Sequence, residues 1–326
     1  MRVLVTGSRG FVGKHLVATL ATAGHTGIAT GRIQPESLPD GWIGVKRNDF
    51  LDADCVDTQV DAIVHLEVKH HVARATLRDR EEFREVNVDG TQRWLSWATA
   101  HKVERFVFAS SVKALKDNDG CLDELTDPEI SDPYGSSKAE AEAAVRTWAG
   151  KEPGRSAIAL RFPPIYGVGN IANLAAFARQ VLAGKPCLIG RGQARKSVLS
   201  VRNATACIVH ALQMRAVGYD VYHAADADPV SLFELACYIA EAGGAPRPRG
   251  VSYPVAIAAA CTGEVYQRIT GVEFPMNLKR FRTMTSNAEV STEKLLATGF
   301  RPIEGTRQGV QDMVDWLQSD QSVRAG

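Results

Sequence analysis

The sequence lacks the cysteine spacings that would hold a metal or a disulfide framework. None of its six cysteines stands in a C-x-x-C pair or has a histidine nearby at metal-ligand spacing. Such sites depend on those spacings, so no metal is predicted and the thiols are expected to stay free in a reducing compartment. Charge of one sign is also missing: the net charge is +1 with no basic tract, so no nucleic-acid partner is predicted.

A long hydrophobic run is absent as well. The most apolar stretch, residues 254–261, is far shorter than the ~20 residues that a membrane span requires, so no membrane partner is predicted. A strand and a glycine turn follow Met1 almost at once, and this leaves no room for a signal peptide. The expected location is therefore cytoplasmic, and 326 residues suffice for one large domain or two lobes.

The first fourteen residues organise the chain. A β-branched run from Val3 to Val5 predicts a buried strand, and three glycines follow with the spacing G-x-x-G-x-x-G at positions 7, 10 and 13. Apolar residues at helical spacing come next. Glycine lets a phosphate approach the backbone, and a helix N-terminus favours an anion. Strand, glycine turn and helix in this order predict a dinucleotide-binding unit.

Strands and helices then alternate, which predicts an α/β fold with a Rossmann-type doubly wound parallel sheet. Further strands are predicted at 26–30, 42–46, 61–66, 105–109, 156–161 and 221–224, and helices at 81–101, 134–148, 173–183 and 232–241. Ligands of such sheets bind at the carboxyl ends of the strands. Residues 1–165, with a returning segment near 197–225, are predicted to form the Rossmann domain. Residues 166–196 and 226–326 are predicted to form a smaller substrate-binding lobe of short helices.

Tyr134 and Lys138 stand four residues apart on one face of a predicted helix. An ammonium near a phenol stabilises the phenolate and lowers its pKa, so the tyrosine could serve as general base and acid near neutral pH. Ser111, at the end of a predicted strand on the same edge, could hydrogen-bond the same substrate oxygen. A Tyr and a Lys at this spacing usually lie on an ordinary helix surface. The pair indicates a catalytic site only because the glycine turn stands upstream of it.

These motifs, in this order, resemble the extended short-chain dehydrogenase/reductases, and within them the NAD-dependent sugar-nucleotide epimerase/dehydratase group. The matching stretches are residues 6–13, Asn87-Val88-Asp89-Gly90-Thr91, residues 108–111, Tyr134-x-x-x-Lys138, residues 160–167 and residues 299–302. The resemblance implies that Ser111, Tyr134 and Lys138 are catalytic. It also implies a homodimer through the helices at 81–101 and 134–148. Trp94, Trp97 and Trp148 could belong to that interface or equally to the core.

The resemblance also implies two sets of binding residues. NAD would be held by Gly7, Arg9, Gly10, Phe11, Val12, Gly13, Arg32, Asp49, Phe50, Leu66, Tyr134, Lys138, Pro163 and Ile165. A nucleotide-sugar substrate would contact Ser111, Lys113, Tyr134, Asn173 and Lys196.

Three departures from the family pattern matter. Gly31-Arg32 replaces the usual acidic residue, so NADP is an alternative cofactor, although Arg32 could equally be a solvated side chain. Glu67 puts a carboxylate near the cofactor phosphates, which is unfavourable unless it finds a partner. Arg202 stands where the family usually has an aspartate before a helix of the second lobe.

The residues after Ser111 exclude two of the family's reactions. Val112-Lys113 replaces the Asp-Glu pair of 4,6-dehydratases, and no Cys or His stands where 3,5-epimerases need them. Redox at C4 of a nucleotide sugar remains, with a UDP-N-acetylhexosamine 4-epimerase first and a 4-keto-sugar reductase using NADPH or NADH second. A non-catalytic dinucleotide sensor or scaffold is the alternative of another class. A steroid- or flavonoid-type substrate also stays open, and Asn287, at the gate for the N-acetyl group, is not large.

Overall fold

The computed structural model describes residues 1–33, 37–52, 59–70, 77–116, 120–129, 131–214, 217–272, 274 and 276–319. The strands in these ranges are β1 Arg2–Thr6, β2 Thr26–Gly31, β3 Trp42–Lys46, β4 Ala62–His65, β5 Arg105–Ser111, β6 Cys121–Leu122, β7 Ser156–Phe162, β8 Ile165–Tyr166, β9 Leu188–Ile189, β10 Arg195–Lys196, β11 Leu199–Ser200, β12 Gly218–His223, β13 Val230–Ser231, β14 Gly250–Val251 and β15 Glu289–Val290.

The helices are α1 Phe11–Thr22, α2 Arg47–Asp52, α3 Leu77–Phe83, α4 Gly90–Ala100, α5 Pro133–Gly150, α6 Asn173–Leu182, α7 Val201–Gln213, α8 Leu232–Gly243, α9 Tyr253–Thr270, α10 Leu278–Thr285, α11 Glu293–Ala297 and α12 Thr306–Ser319. A π-helical turn, Arg84–Asp89, joins α3 to α4, and a 3₁₀ turn, Val112–Ala114, follows β5. The helix predicted at 81–101 is therefore three segments.

The main sheet has seven parallel strands in the order β12-β7-β5-β4-β1-β2-β3. The order reverses between β1 and β4, and a crevice opens at such a reversal outside the carboxyl ends of the strands. The predicted Rossmann-type sheet is confirmed. The glycine turn after β1 and the end of β4 stand at this reversal, and this places them together at the crevice.

Apolar side chains cover both faces of the sheet, as parallel strands require. One face packs under α1 and α7, with Leu16 and Ile208 fully buried, and the other packs under α4 and α5, with Trp94 1% exposed. Trp97 and Trp148 lie in that second layer too. The three tryptophans left open by the sequence are thus core residues of a single chain.

A separate apolar core lies in the C-terminal part of the chain, between α6, α8 and α12. Helix α8 begins with a capping box, in which Ser231 and Glu234 satisfy each other's backbone N–H groups. Helices α9 and α10 pack together on a further small core around Phe281. The expectation of only short helices here is wrong, because α9 has 18 residues and α12 has 14.

Candidate active site

The glycine turn is built so that side chains would not fit. Gly7 has φ +65°, a conformation that L side chains rarely adopt, and a Cβ on it would lie 2.9 Å from the Glu67 nitrogen. A Cβ on Gly13 would lie 2.4 Å from the Gly7 carbonyl oxygen. Helix α1 begins after Gly10 with no side-chain cap and no acidic residue in its first turn. This cradle fits the pyrophosphate of a dinucleotide.

The end of β2 carries arginines instead of an acid. The Arg9 side chain passes Gly31, because a Cβ added there would lie 3.7 Å from the Arg9 Cγ, and Arg32 is exposed beside it. The Thr30 hydroxyl is buried and has no hydrogen-bond partner within the described ranges. An unsatisfied buried hydroxyl and two arginines at this strand end fit a ribose with or without a 2′-phosphate.

A hydrogen-bonded chain connects β1, β4 and α4 through His65. Thr91 donates to the Asn87 carbonyl (2.7 Å), so the Thr91 hydroxyl accepts from Nε2 of His65 (3.1 Å). Nδ1 of His65 then accepts from the Thr6 hydroxyl (2.7 Å). Burial, and then the charge of Lys138, lowers the pKa of His65 to about 3, so the ring is neutral at physiological pH. This series of hydrogen bonds fixes the tautomer of His65 and connects the ends of β1 and β4.

Glu67 does find a partner. Its carboxylate accepts from the Arg47 guanidinium at 2.5 Å and lies 3.4 Å from the Trp94 indole nitrogen. Arg202, the other departure from the family pattern, pairs with Glu304 at 2.8 Å. Neither charge is therefore left uncompensated in the fold, and neither argues against cofactor binding.

The three predicted catalytic residues come from two adjacent elements. Ser111 is the last residue of β5, while Tyr134 and Lys138 lie on α5. Helix α5 begins sharply, because Asp132 accepts the Gly135 N–H at 2.9 Å and Pro133 occupies the first turn. Ser111 lies close enough to Tyr134 for its hydroxyl to lower the pKa of the phenol. The structure therefore brings the predicted base and its serine partner together at the carboxyl edge of the sheet.

Lys138 is almost completely buried, at 2% exposure. Its ammonium donates to the Ala109 carbonyl at 2.7 Å and lies 4.2 Å from the centre of the Phe108 ring. Burial lowers the pKa of Lys138 to about 7, against a smaller opposing effect of Glu142. The lysine is thus only partly charged near neutral pH in the protein alone.

The sequence predicted a lowered pKa for Tyr134, and this is wrong for the protein without a ligand. Burial raises the pKa of Tyr134, and the hydrogen bond from Ser111 opposes that rise only in part. Lys138 does not reverse the shift, because its own charge is reduced by burial. A positive charge brought into the site by a ligand would act in the direction that favours the phenolate.

Asn87 belongs to this site although the sequence reasoning gave it no role. It lies in the π-helical turn at 1% exposure, and its side-chain amide donates to the Ser137 hydroxyl at 2.9 Å. Ser137 donates to the Tyr134 carbonyl at 2.8 Å. The amide oxygen of Asn87 accepts the Lys69 N–H at 2.8 Å. The sequence feature that could have indicated a role for Asn87 is the Asn-Val-Asp-Gly-Thr stretch, because its glycine interrupts a helical pattern.

The remaining predicted cofactor residues lie in several environments. Phe50 is 1% exposed and its ring packs on Trp97 at 5.0 Å, so its side chain belongs to the core and only its backbone could meet a ligand. Asp49 is exposed and lies in α2. The others line the glycine turn or follow the ends of β4 and β7: Phe11, Val12, Leu66, Pro163 and Ile165 are half-buried except for Pro163, which is buried.

The predicted substrate residues of the second lobe are less closely grouped. Lys196 is half-buried, donates to the Ser286 carbonyl at 2.5 Å and pairs through its backbone with Ala288. Asn287 accepts the Arg195 N–H at 2.9 Å, so the predicted gate lies beside Lys196. Asn173 is exposed at the first residue of α6, and Lys113 is exposed in the 3₁₀ turn after Ser111.

The profile of the NAD dependent epimerase/dehydratase family matches residues 3–225, which is more than half of the chain. The chain belongs to this family. The predicted family membership is confirmed, and with it the prediction of an enzyme. No helix within the described residues is long and apolar enough to cross a membrane.

Three relatives show how varied the family is. The chain is 27% identical over 304 residues to N-acetyl-alpha-D-glucosaminyl-diphospho-ditrans,octacis-undecaprenol 4-epimerase of Escherichia coli O157:H7, with 91% of this chain and 89% of that protein covered. It is 31% identical over 271 residues to the 3 beta-hydroxysteroid dehydrogenase/Delta 5→4-isomerase of Mycobacterium tuberculosis, with 76% and 71% covered. The structure of UDP-N-acetylglucosamine 4-epimerase from Bacillus cereus superposes with a TM-score of 0.71 at 20% identity, covering 98% of this chain and all of that one (100%).

Proposed function

We propose that the chain catalyses NAD-dependent epimerisation at C4 of a nucleotide sugar, with a UDP-linked N-acetylhexosamine as substrate. The observation that carries the proposal is that Ser111 lies close enough to Tyr134 for its hydroxyl to lower the pKa of the phenol, with Lys138 on the same helix, at the sheet edge that also bears the glycine cradle. The 4-epimerases of Escherichia coli and Bacillus cereus among its relatives support this choice of reaction.

In this proposal Tyr134 moves the proton and Ser111 holds the oxygen. The Tyr134 phenolate takes the proton of the C4 hydroxyl while the hydrogen on C4 leaves as hydride, so that a C4 ketone forms. Tyr134 returns the proton when hydride comes back to the other face of that carbon. The nicotinamide of a bound NAD supplies the acceptor and donor of that hydride. Lys138 donates hydrogen bonds and positive charge beside the phenolate.

The residues that would hold NAD are those of the cradle and the strand ends. Backbone N–H groups around Gly7, Gly10 and Gly13 would meet the pyrophosphate, while Asp49 would meet the adenine and the residues after Pro163 would face the nicotinamide. Lys196 and Asn173 would meet the nucleotide diphosphate of the substrate. Lys196 offers a point charge there without the two-pronged geometry of an arginine.

The second candidate is a reductase or dehydrogenase that exchanges its cofactor in each turnover. The observation that favours it is the pair of arginines, Arg9 and Arg32, around Gly31, where a 2′-phosphate of NADP would lie. The non-catalytic alternative has lost its main support, because Glu67 is paired with Arg47 and Arg202 with Glu304.

We also propose a domain division and an oligomeric state for the chain. The chain is proposed to divide into a Rossmann domain of residues 1–165 with 197–225 and a substrate lobe formed by the rest. A homodimer is proposed through the outward side chains of residues 81–101 and 134–148, since the tryptophans of these helices are used in the core. Sedimentation velocity of the purified protein tests the dimer.

The first experiment is to denature the purified protein and identify the dinucleotide that it releases. Stoichiometric NAD supports an epimerase that recycles its cofactor in place, while an empty protein that binds NADPH supports the reductase. An empty protein that binds neither cofactor contradicts both reactions and leaves a non-catalytic scaffold.

The second experiment compares turnover of the wild type and Tyr134→Phe on UDP-N-acetylglucosamine and UDP-glucose. We expect the substitution to lower kcat by about 10²- to 10⁴-fold, because it removes the proton-transfer group, while substrate binding is largely kept. Tyr253→Phe, which changes an exposed tyrosine on α9, is the matched control. Unchanged turnover in Tyr134→Phe contradicts the mechanism, and a preference for UDP-glucose contradicts the assigned sugar.

A further inference from the structure

Helix α9 has apolar side chains on its outward face as well as on its inward one. Inward, Ala256, Ala260 and Gly263 are buried. Outward, the positions 255, 258, 262, 265, 269 and 272 follow alternating steps of three and four residues, so they form one stripe along the helix and its C-terminal end. We call this set the outer stripe: Val255, Ala258, Thr262, Val265, Ile269 and Val272.

The outer stripe is open to solvent. Val255 is 58% exposed, Val265 56%, Ile269 79% and Val272 57%. Scattered single apolar residues are normal on a protein surface, but an aligned set along a whole helix marks an interaction site. The helix has 18 residues and is therefore about 27 Å long.

Positive charge is concentrated in the segment of the chain that carries this stripe. Residues 247–282 contain six basic residues and two acidic ones, although the whole chain carries a net charge of only +1. Arg268 is exposed on α9 itself, next to Ile269. Three more basic residues are exposed on α10, which packs against α9 through the buried Phe281: Lys279, Arg280 and Arg282.

We propose that the outer stripe of α9 docks this lobe onto an anionic membrane surface, with the helix lying in the plane of the interface. An exposed apolar helix face in a segment rich in basic residues is typical of helices that insert to the level of the lipid headgroups. Tyr253 (54% exposed) and Tyr266 (45%) on the same helix suit the boundary between headgroups and acyl chains. Charge complementarity selects anionic lipids, because Arg and Lys side chains attract their headgroups.

A second copy of the chain fits this face less well. A twofold contact would bring the same positively charged segment of both copies together, and like charges facing each other oppose association. The proposal also revises the sequence-based expectation of no membrane partner. That expectation rested on the absence of a spanning segment, and a helix lying on the surface needs none.

Co-sedimentation with lipid vesicles tests the proposal. The full-length protein is mixed with vesicles of phosphatidylcholine alone or of phosphatidylcholine with phosphatidylglycerol, at low and at high salt. We expect binding to the mixed vesicles, little binding to the neutral ones, and loss of binding as salt screens the charges. The double variant V265D/I269D should bind the mixed vesicles about tenfold less, since it removes two apolar anchors.

The matched control is L125D/V217D, which makes the same change of charge at two residues that are 91% and 83% exposed elsewhere in the chain. It should bind like the wild type. Circular dichroism and thermal unfolding check that both variants are folded, so the test does not depend on the proposed reaction. Wild-type protein that binds neither vesicle overturns the proposal, as does equal binding by V265D/I269D. Self-association that V265D/I269D abolishes, without vesicle binding, would instead make this face a contact between copies.

Discussion

Lys138 shows how a single buried side chain connects stability to pH. In the folded protein its proton is released near pH 7, whereas an ordinary lysine holds its proton until about pH 10.5. Between these two values the unfolded chain binds more protons than the folded one, so stability rises with pH in this window. The same burial keeps the side chain only partly charged beside Tyr134.

Lys138→Met should remove this dependence. We expect the free energy of unfolding of the wild type, relative to the variant, to rise from about pH 7 to 10.5, with a slope of at most about 1.4 kcal/mol per pH unit. Denaturant unfolding of both cofactor-free proteins at pH values across this window measures the difference. A difference that does not change with pH would contradict the burial of the ammonium.

Arg32 decides between the two cofactors at the end of β2. If it contacts a 2′-phosphate, Arg32→Ala removes a charge-assisted hydrogen bond and should raise the Kd for NADPH by about tenfold or more, with little effect on NADH. Isothermal titration with both dinucleotides measures this, and Arg191→Ala, at another exposed arginine, is the control. Equal affinities before and after the change would mean that Arg32 is a solvated side chain.

At the scale of elements, the active site depends on how closely α5 approaches the turn after β5. A Cβ on Gly135 would lie 2.2 Å from the Lys113 carbonyl oxygen and 2.8 Å from the Glu129 Cγ. Any side chain at this position would therefore push the N-terminus of α5 away from the turn. Tyr134 is the neighbouring residue, so its position beside Ser111 would be disturbed.

Gly135→Ala should accordingly lower kcat by about 10²-fold, because a displacement of this kind misplaces the proton-transfer group. We also expect a loss of about 1–3 kcal/mol in the free energy of unfolding from the overpacking. Gly150→Ala at the other end of the same helix is the matched control, since nothing lies within 4 Å of a Cβ there. Activity assays and denaturant unfolding of both variants would contradict this account if the two behaved alike.

The sequence predicted the strands well because β-branched runs between turn signals have few alternatives. Strand β3 is found at Trp42–Lys46 as predicted, and β5 and β7 extend only one or two residues further. Helix α9 was missed because Gly263 resembles a helix break. It is instead a close approach, since a Cβ there would lie 1.9 Å from the Met276 carbonyl oxygen. Such a contact between distant residues leaves no local signal.

The positions of the predicted site residues in the fold could be predicted about as well as the strands. The spacing of Tyr134 and Lys138 and the position of Ser111 predicted where these residues lie, because helix periodicity and strand ends fix them. Their catalytic role was implied by the family resemblance and stays a prediction. The network of His65 and Asn87 was not predicted, since it depends on five elements meeting in space. The sign of the Tyr134 pKa shift was also out of reach, because burial is a property of the whole fold.

At the scale of the whole molecule, Asp226 connects the two large cores. Its carboxylate is 2% exposed and accepts the Ser200 N–H at 3.0 Å, the Asn203 amide at 2.7 Å and the Tyr166 hydroxyl at 2.7 Å. Tyr166 packs in the core of α6, α8 and α12, whereas α7, which Ser200 caps, packs on the main sheet. One buried carboxylate therefore connects the core of α6, α8 and α12 to helix α7 on the main sheet.

Tyr166→Phe removes one hydrogen bond from this connection and leaves the aromatic ring in place. Because the lost hydrogen bond goes to a buried carboxylate, we expect the free energy of unfolding to fall by about 1.5–3 kcal/mol. Tryptophan fluorescence reports mainly the core of the main sheet, where Trp94, Trp97 and Trp148 lie. It should then change at higher denaturant than the far-ultraviolet circular dichroism, which also follows the helices of the C-terminal core, while in the wild type the two transitions coincide. Tyr253→Phe, at a tyrosine that is 54% exposed, should leave both transitions in place. If Tyr166→Phe unfolded at the wild-type midpoint by both measurements, Asp226 would not be what couples the two cores.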